Sequence, residues 1–584
     1  MNSGNAMALF SLLAAGWAAA EAPGGTLAVS GLSGVYRDGQ VFLTWREAEL
    51  PAGATLSVYA HREPISTGTL AQARCLAAQI DPHSARDWWQ DPASFSRDAT
   101  PGTPAGWVLR AGADPLDPAG GLFVHTVTEA TAGPRHYAVT WTASDGTESR
   151  EITPGANATA APIDGSVALP LPVWQAPNGT LPAANSGAGR RLVLSLHGRG
   201  GGVTAGPTPS SVNCLWFGDA TQGWREGLAF KFMLSLQPDT VVITPMDRVW
   251  IGRAVTESGD QRDHCPAINT WWFGYNENIR QTTRTDPVSA PNYTERYLLG
   301  LLRWAQRYLG CDPNATYVNG GSMGGSGAVA LALHFPDVFA AAHAQVPVYS
   351  CTRPGQGSAT RLECMCGPLK DKRTVTVGGA AILDYLNGAR NLLAASGDTP
   401  PIFATNGRKD GSIPWENNPP FYAAAEQARQ AFAVYWNNGD HGMSGQAPAD
   451  VKAWSSTLYR YRLDQSYPCF TACSDNRNYG KGTPTDGDLE GWINRGLTWE
   501  KLEDTADSYA ITILADYPGI AYPVTLAVTP RRRQHFKPAP GTTLVVVSGD
   551  TEPRTLTVEP TGRFTITGVA VPGAAGTRLT VRRQ

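Results

Sequence analysis

A serine between glycines is the feature of this sequence best suited to catalysis. Residues 320–324 read GGSMG, so Ser322 stands in a Gly-x-Ser-x-Gly pattern. A serine hydroxyl is a weak nucleophile at neutral pH and needs a neighbouring base, which is itself oriented by an acid. The glycines permit the strained turn that exposes such a hydroxyl at the end of a sheet. Because the chain has 63 glycines, the pattern alone is not specific.

The segments around Ser322 give the pattern its meaning. The apolar run TYVN (316–319) precedes it, and the run AVALALHF (328–335) follows it with helical character. A strand, a sharp turn and a helix in that order form a nucleophile elbow. The sequence therefore predicts that Ser322 is a catalytic nucleophile.

A base and an acid follow downstream in the order that such a fold requires. Asp410 comes just after the apolar run PIFATN (401–406), and His441 just after FAVYW (432–436). If both runs are parallel strands, both side chains emerge at the same edge of the sheet as the elbow. We predict that His441 accepts the Ser322 proton and that Asp410 orients the imidazole.

Other titratable residues near these loops are competing candidates. Glu416 lies in the same loop as Asp410 and is the second candidate for the acid. Asp440 adjoins His441, but neighbouring side chains rarely point at each other, so a role in capping the loop is expected. His343 lies in a buried-looking strand and is expected to be a core residue.

A second glycine-rich loop predicts the oxyanion hole. Residues 197–202 read HGRGGG and follow the apolar run LVLSL (192–196). Backbone N–H groups of Arg199, or of Gly200 next to it, would join the N–H of Met323 to bind the oxyanion of a tetrahedral intermediate. A phosphate-binding loop is the alternative, but the G-x-x-x-x-G-K-[ST] pattern is missing.

With both motifs in order, residues 190–466 resemble the α/β-hydrolase superfamily. Within it, HGRGGG and GGSMGG look most like the secreted esterase, feruloyl esterase and polyhydroxybutyrate depolymerase-like group, some of whose members carry an N-terminal immunoglobulin-like domain. The resemblance implies cleavage of carboxylic esters on plant polysaccharides or polyesters. The segment around 351–366 has no counterpart in that group.

Three tryptophans are candidate substrate-binding residues. Trp271 and Trp272 follow the run VVIT (241–244) in a cluster of aromatic residues, and Trp415 follows the predicted acid. Such rings could stack on a sugar or on an aromatic acyl group. Ordinary core packing is the alternative for each of them.

The composition excludes some partners and suggests export. Lys and Arg (47) nearly balance Asp and Glu (50), so nothing draws the chain to nucleic acid or an anionic membrane. Residues 7–20 form an uncharged apolar run that is too short to span a bilayer, and residues 1–22 are interpreted as a signal peptide. Nine cysteines suit an extracellular or periplasmic location with several disulfides and at least one free thiol.

The run of apolar segments predicts an α/β fold with β-rich flanks. Short strands alternate with helices over 190–466, which predicts a doubly wound, mostly parallel sheet. Residues 24–174 read as a fibronectin- or immunoglobulin-like β-sandwich, and residues 467–584 as a second β-rich domain.

Together these observations predict a secreted serine carboxylesterase that needs no cofactor and no metal. Acidic residues at 475–488 miss the spacing of an EF-hand. A prolyl-oligopeptidase-type peptidase is one alternative, although the N-terminal region is too small for the propeller of those enzymes. A non-catalytic polysaccharide-binding protein is the other.

Overall fold

The computed structural model describes most of the chain from residue 27 onward, and the predicted leader 1–22 lies outside the described residues. The described residues are 27–91, 93, 100–110, 112–175, 182–199, 211–218, 229–250, 267–276, 279, 289–351, 362–363, 365–369 and 373–584.

A ten-stranded sheet forms the centre of the molecule. Six neighbouring strands in its middle are parallel, and the remaining four at its two ends pair antiparallel. In spatial order the strands are Gly491–Ile493, Phe432–Asn437, Ile402–Gly407, Ala341–Gln345, Thr316–Gly321, Arg191–Leu196, Thr240–Pro245, Ala229–Leu236, Ser211–Phe217 and Val173–Gln175. Five of the six parallel strands correspond to the apolar runs LVLSL, VVIT, TYVN, PIFATN and FAVYW, and the sixth is Ala341–Gln345, which contains His343.

The strand order reverses in the middle of this sheet. After Arg191–Leu196 the chain forms the outer strand Ser211–Phe217 and comes back inward to Thr240–Pro245, which pairs with Arg191–Leu196. It then crosses to place Thr316–Gly321 on the other side of Arg191–Leu196. The loops after Leu196 and Gly321 therefore diverge from a topological switch point, where α/β sheets leave a crevice at the carboxyl ends of their strands.

Successive side chains of a parallel strand point to opposite faces of the sheet, so apolar residues pack on both faces. One face packs in a single core with the helices, through residues that include Leu192, Leu194, Val318, Ala342, Ala344, Ile402, Ala404, Val434 and Trp436. The helices of the described residues are Tyr293–Trp304, which continues as a π-helical turn at Ala305–Leu309, Met323–His334, Ile382–Tyr385, Gly388–Ala394, Pro419–Ala428, Ala449–Lys452 and Trp454–Thr457.

The opposite face of the sheet is covered in a way that the sequence does not predict. Val193 and Tyr317 share a core with the C-terminal strands, and the Tyr317 hydroxyl donates to the carbonyl oxygens of Tyr459 and Tyr461 at 3.0 and 2.8 Å. Short helical turns at 449–457 cover the rest. Within the described residues, this face therefore carries β-structure where a doubly wound sheet would carry a full helical layer.

The N-terminal region is built from two small sheets around a common core. Strands Val29–Arg37, Gln40–Glu47 and Gly121–Thr126 form one sheet, and Thr55–His61, Arg74–Ile80, Gly133–Thr142, Glu148–Ser149 and Ile163–Gly165 form the other. Inward residues of both sheets, among them Trp45 and Tyr137, form one cluster. Phe42 faces outward, where it packs against Phe217 of the central sheet.

The C-terminal region also forms two sheets, and it adds one short strand to the central sheet. One sheet contains Tyr467–Thr471, Val524–Arg531 and Ile566–Val571; the other contains Leu497–Asp504, Ser508–Ala515, Thr543–Ser548, Arg554–Thr557 and Thr577–Arg583. The short strand Gly491–Ile493 extends the central sheet from beyond the predicted limit at 466.

No disulfide joins two cysteines of the described residues, although several are expected for an exported protein. Cys75, Cys311, Cys469 and Cys473 are free thiols, and all of these except Cys75 are buried. Cys469 and Cys473, four residues apart in the sequence, lie in the same apolar cluster without a bond between them. Among the described residues, the chain also has no helix with the length and apolar character needed to cross a bilayer.

Candidate active site

Ser322 lies in a strained turn between a central strand and a helix. It follows Thr316–Gly321 directly, precedes the helix Met323–His334, and has φ of 57°. Its N–H donates to the carbonyl oxygen of Gln345 on the neighbouring strand at 2.8 Å. A non-glycine residue in the left-handed region is costly and persists only where the surroundings fix it.

Two glycines allow this turn because their Cα atoms nearly touch backbone. A Cβ on Gly320 would lie 2.4 Å from the carbonyl oxygen of Gly324, and one on Gly324 would lie 2.1 Å from that of Leu196. Any side chain would therefore force the nucleophile helix, Met323–His334, away from the sheet. This is the physical reason for the glycine pattern around Ser322.

The structure brings the three predicted catalytic residues into one hydrogen-bonded chain. His441 Nε2 lies 2.8 Å from Ser322 Oγ, and His441 Nδ1 lies 2.7 Å from Asp410 Oδ2. With Nδ1–H donating to the carboxylate, Nε2 of the neutral imidazole is free to accept the serine proton. The distance from Ser322 Oγ to His441 Nε2 is within the reach needed for proton transfer.

Asp410 is held by its own loop. Its side chain is only 2 % exposed, and its second oxygen, Oδ1, accepts the N–H groups of Ser412 and Ile413 at 2.8 and 2.9 Å. The adjacent Lys409 N–H donates to the carbonyl oxygen of Gly439, which joins the acid loop to the loop of His441. Asp410 is therefore fixed both in position and in orientation.

Electrostatics around His441 favour its protonated form. The hydrogen bond that His441 donates to Asp410 raises the pKa of His441 above its ordinary value, against the effect of partial burial. The nearby charge of Asp440 also raises this pKa. Asp440 also caps the loop as expected, since its Oδ1 accepts the N–H of Gly442 at 2.9 Å. A raised pKa suits a group that must take up a proton and then release it.

The competing acid and histidine do not reach this chain. Glu416 lies in the 3-10 turn Trp415–Asn417, and the carboxylate that contacts His441 is that of Asp410. His343 is buried within its strand, where burial lowers its pKa to about 4. It is a core residue, as the sequence indicates.

The predicted oxyanion loop lies beside the nucleophile. A Cβ on Gly198 would be 3.5 Å from the Cβ of Ser322, so the backbone of this loop passes close to the reacting hydroxyl. Met323 opens the helix, where N–H groups lack acceptors within the helix. Arg199 is the last described residue of the loop, and Gly200 lies outside the described residues, so its role stays a prediction.

A buried aspartate that the sequence does not single out ties this loop to the neighbouring strand. The Asp247 N–H donates to His197 Nε2 at 2.9 Å, which leaves the ring proton on Nδ1, 2.8 Å from the carbonyl oxygen of Gly198. Burial lowers the pKa of His197 to about 4 and raises that of Asp247 to about 6. The Asp247 carboxylate accepts the N–H groups of Thr270 and Trp272. His197 is therefore a neutral anchor of the loop.

The prediction that three tryptophans bind substrate needs correction for two of them. Trp272 and Trp415 are 1 % and 0 % exposed and belong to the central core. Trp272 lies across Gly327 of the nucleophile helix, where a Cβ would be 2.5 Å from its ring. Their large apolar area is already buried in the fold, so neither presents a face to a ligand. Trp271 is partly exposed and lines a small cavity of about 20 Å³ beside Ser326.

Arg408 is a supporting residue that sequence reasoning missed. Its guanidinium is fully buried and donates to four backbone carbonyls of one loop. The acceptors are Thr483 at 3.0 Å, Pro484 at 2.8 Å, Asp486 at 2.5 Å and Asp488 at 3.1 Å. The guanidinium also stacks at 4.5 Å on Trp415. Because Arg408 stands two residues before Asp410, the loop 483–488 is anchored directly behind the acid.

The acidic residues of this C-terminal loop hold backbone groups. Asp488 Oδ2 accepts the N–H of Asn478 and Asp486 Oδ2 that of Lys481, at 2.8 and 2.6 Å, while the loop carbonyls surround Arg408. No cluster of three or more metal-binding side chains occurs in the part of the chain that the structure describes.

A family model described as "Putative esterase" matches residues 254–464. The matched region contains Ser322, Asp410 and His441, and it excludes the loop 197–202. No curated protein matches the chain.

Several solved structures are similar at low identity. An S-formylglutathione hydrolase from Agrobacterium tumefaciens is 12% identical, with 44% of this chain and 98% of that chain covered and a TM-score of 0.33. Esterase 2 from Thermogutta terrifontis is 16% identical over 47% of this chain and 81% of that chain, with a TM-score of 0.25. A structure from a study of two prolyl endopeptidases is 12% identical over 75% of this chain and 53% of that chain, with a TM-score of 0.29.

The family match and the hydrogen-bonded serine, histidine and aspartate point to the same chemistry. Both support a carboxylic ester hydrolase.

Proposed function

We propose that this protein is a serine carboxylesterase that works through an acyl-enzyme, with Ser322 as nucleophile, His441 as general base and acid, and Asp410 as the orienting carboxylate. The observation that carries the proposal is the continuous chain from Asp410 through His441 to Ser322 at the switch point of the sheet. Its position beside a glycine-rich loop adds the means to bind an oxyanion.

The first half-reaction follows from this geometry. Ser322 Oγ forms a bond to the ester carbonyl carbon while its proton moves to His441 Nε2, and the carbonyl π electrons move to oxygen. N–H groups of Met323 and of Arg199 or Gly200 stabilise that oxyanion. When the carbonyl re-forms, the bond to the alcohol oxygen breaks, and the alcohol leaves with the proton from Nε2.

The second half-reaction repeats these steps with water. His441 takes a proton from water as its oxygen attacks the acyl carbon, and the acyl–Ser322 bond breaks as the proton returns to Oγ. The carboxylic acid is released and the resting triad is restored. No cofactor is needed to balance either half-reaction.

For the substrate we propose polymeric esters, namely feruloyl or acetyl esters on polysaccharides, or polyesters. The support is the resemblance of HGRGGG and GGSMGG to secreted esterases of that kind, together with the β-rich regions on either side of the catalytic sheet. We also propose export from the cell, on the strength of the apolar run at residues 7–20.

Hydrolysis of short-chain p-nitrophenyl esters by the wild type and by Ser322→Ala tests the reaction. The variant should lose at least about 10⁴-fold in kcat, because the nucleophile acts as a unit with its base. Equal rates for the two proteins would refute the mechanism. Panels of methyl ferulate, acetylated xylan, polyester and peptide amides would then rank the substrates, and a preference for the amides would favour a peptidase.

A further inference from the structure

A cavity of about 150 Å³ lies between the N-terminal β-region and the central sheet, away from the triad. One wall comes from residues 77–84 with Arg86 and Trp88, and the other from Phe217, Ala229 and residues 248–250. None of Ser322, His441 and Asp410 lines it. The mechanism proposed above makes no use of this space.

The floor of the cavity is apolar and aromatic. Trp88 and Trp107 are buried beneath it, and the Trp88 ring lies 5.8 Å from that of Trp250 across the two walls. Phe217 and Phe230 complete the floor from the central sheet. At this distance Trp88 and Trp250 contact each other, and together they present an aromatic surface with which a flat apolar ring makes offset or edge contacts.

The size of the cavity matches one six-membered ring. An apolar protein cavity of about 150 Å³ is known to bind benzene. A sugar ring of similar size would carry several hydroxyl groups into the apolar floor, at a cost of about 1–3 kcal/mol for each group left without a partner. The lining therefore favours an aromatic ring over a carbohydrate.

Charge on the lining favours an anionic substituent on that ring. Two guanidinium groups, Arg86 and Arg248, and one carboxylate, Asp81, border the cavity. Arg86 pairs through Nη2 with Asp91, and its guanidinium lies 5.9 Å from the Trp250 ring. A carboxylate bound in the cavity at this guanidinium would gain a charge-assisted hydrogen bond.

Backbone strain marks the rim of the same cavity. Gln79 and His83 both have left-handed backbone, with φ of 58° and 60°, although neither is glycine. His83 is held there by its N–H bond to Glu47 at 2.8 Å, while its side chain is 55 % exposed. Strain of this kind concentrates at binding and catalytic sites.

From these observations we propose that the cleft between the N-terminal region and the central sheet binds an aromatic carboxylate, with the ring against the surface that Trp88 and Trp250 form and the carboxylate at Arg86. The site is separate from the triad, so its occupancy does not depend on ester hydrolysis.

Calorimetric titration with benzoate tests the site, using the full chain carrying Ser322→Ala so that the triad cannot react. We expect saturable binding at one site. Ala229→Phe, which fills the cavity from the central sheet, should weaken binding at least tenfold. Ala52→Phe, at an exposed turn of the N-terminal region, should leave it unchanged. Circular dichroism of each variant verifies folding.

A second variant tests the charge without filling the space. Arg86→Met should weaken benzoate at least tenfold while binding of phenol changes little, because phenol keeps the ring and lacks the carboxylate. The proposal is overturned if benzoate does not saturate, if folded Ala229→Phe binds it as tightly as its parent, or if Arg86→Met weakens both ligands equally. A methyl glucoside that competes with benzoate would overturn the choice of an aromatic ligand.

Discussion

The two β-rich regions that flank the catalytic sheet are attached to it in different ways. The C-terminal region shares a core with one face of the sheet, adds the edge strand Gly491–Ile493, and surrounds Arg408 just before the catalytic acid. The N-terminal region meets the far end of the sheet through aromatic side chains such as Phe42 and leaves a cavity there. The first is part of the machinery that positions Asp410, whereas the second is not.

Bidentate ion pairs also link the C-terminal region to the catalytic region. Arg429 bonds both oxygens of Glu559, and Arg495 bonds both oxygens of Asp450, so two bidentate pairs link the catalytic region to the C-terminal strands and loops. Arg531, the first of three consecutive arginines, is buried and donates to Gln430. Charged residues here fix an interface.

The largest effect is expected where the C-terminal loop meets the acid. Arg408→Met removes the donor that four carbonyls share, so the free energy of unfolding should fall by about 4 kcal/mol, because each buried carbonyl left without a donor costs about 1–3 kcal/mol. The kcat for small esters should fall too, because the loop of Asp410 loosens. Urea unfolding and ester kinetics measure the two effects.

Lys409→Met is the matched control for that substitution, because Lys409 is the next residue and is exposed. It should change neither stability nor kcat. If Arg408→Met kept the kcat of the wild type, the C-terminal loop would not position Asp410. The two flanking regions would then not differ in their role in catalysis.

The aromatic contact of the N-terminal region should affect stability alone. Phe42→Ala should lower the free energy of unfolding by about 3 kcal/mol, since Phe42 is buried against Phe217. The kcat for p-nitrophenyl acetate should stay within about twofold of the wild type, because no atom of Phe42 touches the triad loops. Val35→Ala, at an exposed position of the same sheet, is the control. A large loss of kcat in folded Phe42→Ala would mean that both regions support catalysis.

A bidentate ion pair gives a smaller effect at the C-terminal interface. The Arg495 side chain is 7 % exposed, bonds Asp450 at 2.8 and 2.9 Å, and stacks on Trp492 and Tyr517. A double-mutant cycle with Arg495→Met and Asp450→Asn should give a coupling energy of about 1–2 kcal/mol, reduced because Asp450 is partly exposed. Zero coupling would assign the interface to apolar packing alone.

The smallest effect concerns pH. His441 must be neutral to accept the serine proton, so the rate falls as the pH drops through its raised pKa. Asp440→Asn removes a charge that raises this pKa and keeps an oxygen for the cap, so the acid limb of the kcat/KM profile should move to lower pH. High salt should reduce the difference between the two proteins. A shift to higher pH would contradict the sign of the Asp440 effect.

Local pattern was enough to place the catalytic residues. Runs such as TYVN and FAVYW are short, apolar and followed by polar loops, so they predict parallel strands with Ser322 and His441 at one edge. Since all parallel strands end at that edge, contact between the residues follows from topology. The sequence was therefore enough to predict that Ser322, His441 and Asp410 lie together.

Long-range packing was not predictable in the same way. An apolar residue such as Tyr317 packs equally well under a helix or under a sheet, so its sequence does not say that C-terminal strands cover it. The Arg408 guanidinium stacks on Trp415, and the carbonyl groups that bind Arg408 lie about 80 residues further along the chain. Since every residue has a backbone carbonyl, the sequence does not indicate which carbonyl groups bind Arg408.

Covalent trapping tests the central claim most directly. A fluorophosphonate should modify the wild type once per chain, and mass spectrometry of the peptides should place the adduct on Ser322. Ser322→Ala should take up none, and His441→Gln should react far more slowly, because the hydroxyl has lost its base. An adduct on another residue, or ester hydrolysis that survives in Ser322→Ala, would contradict the account.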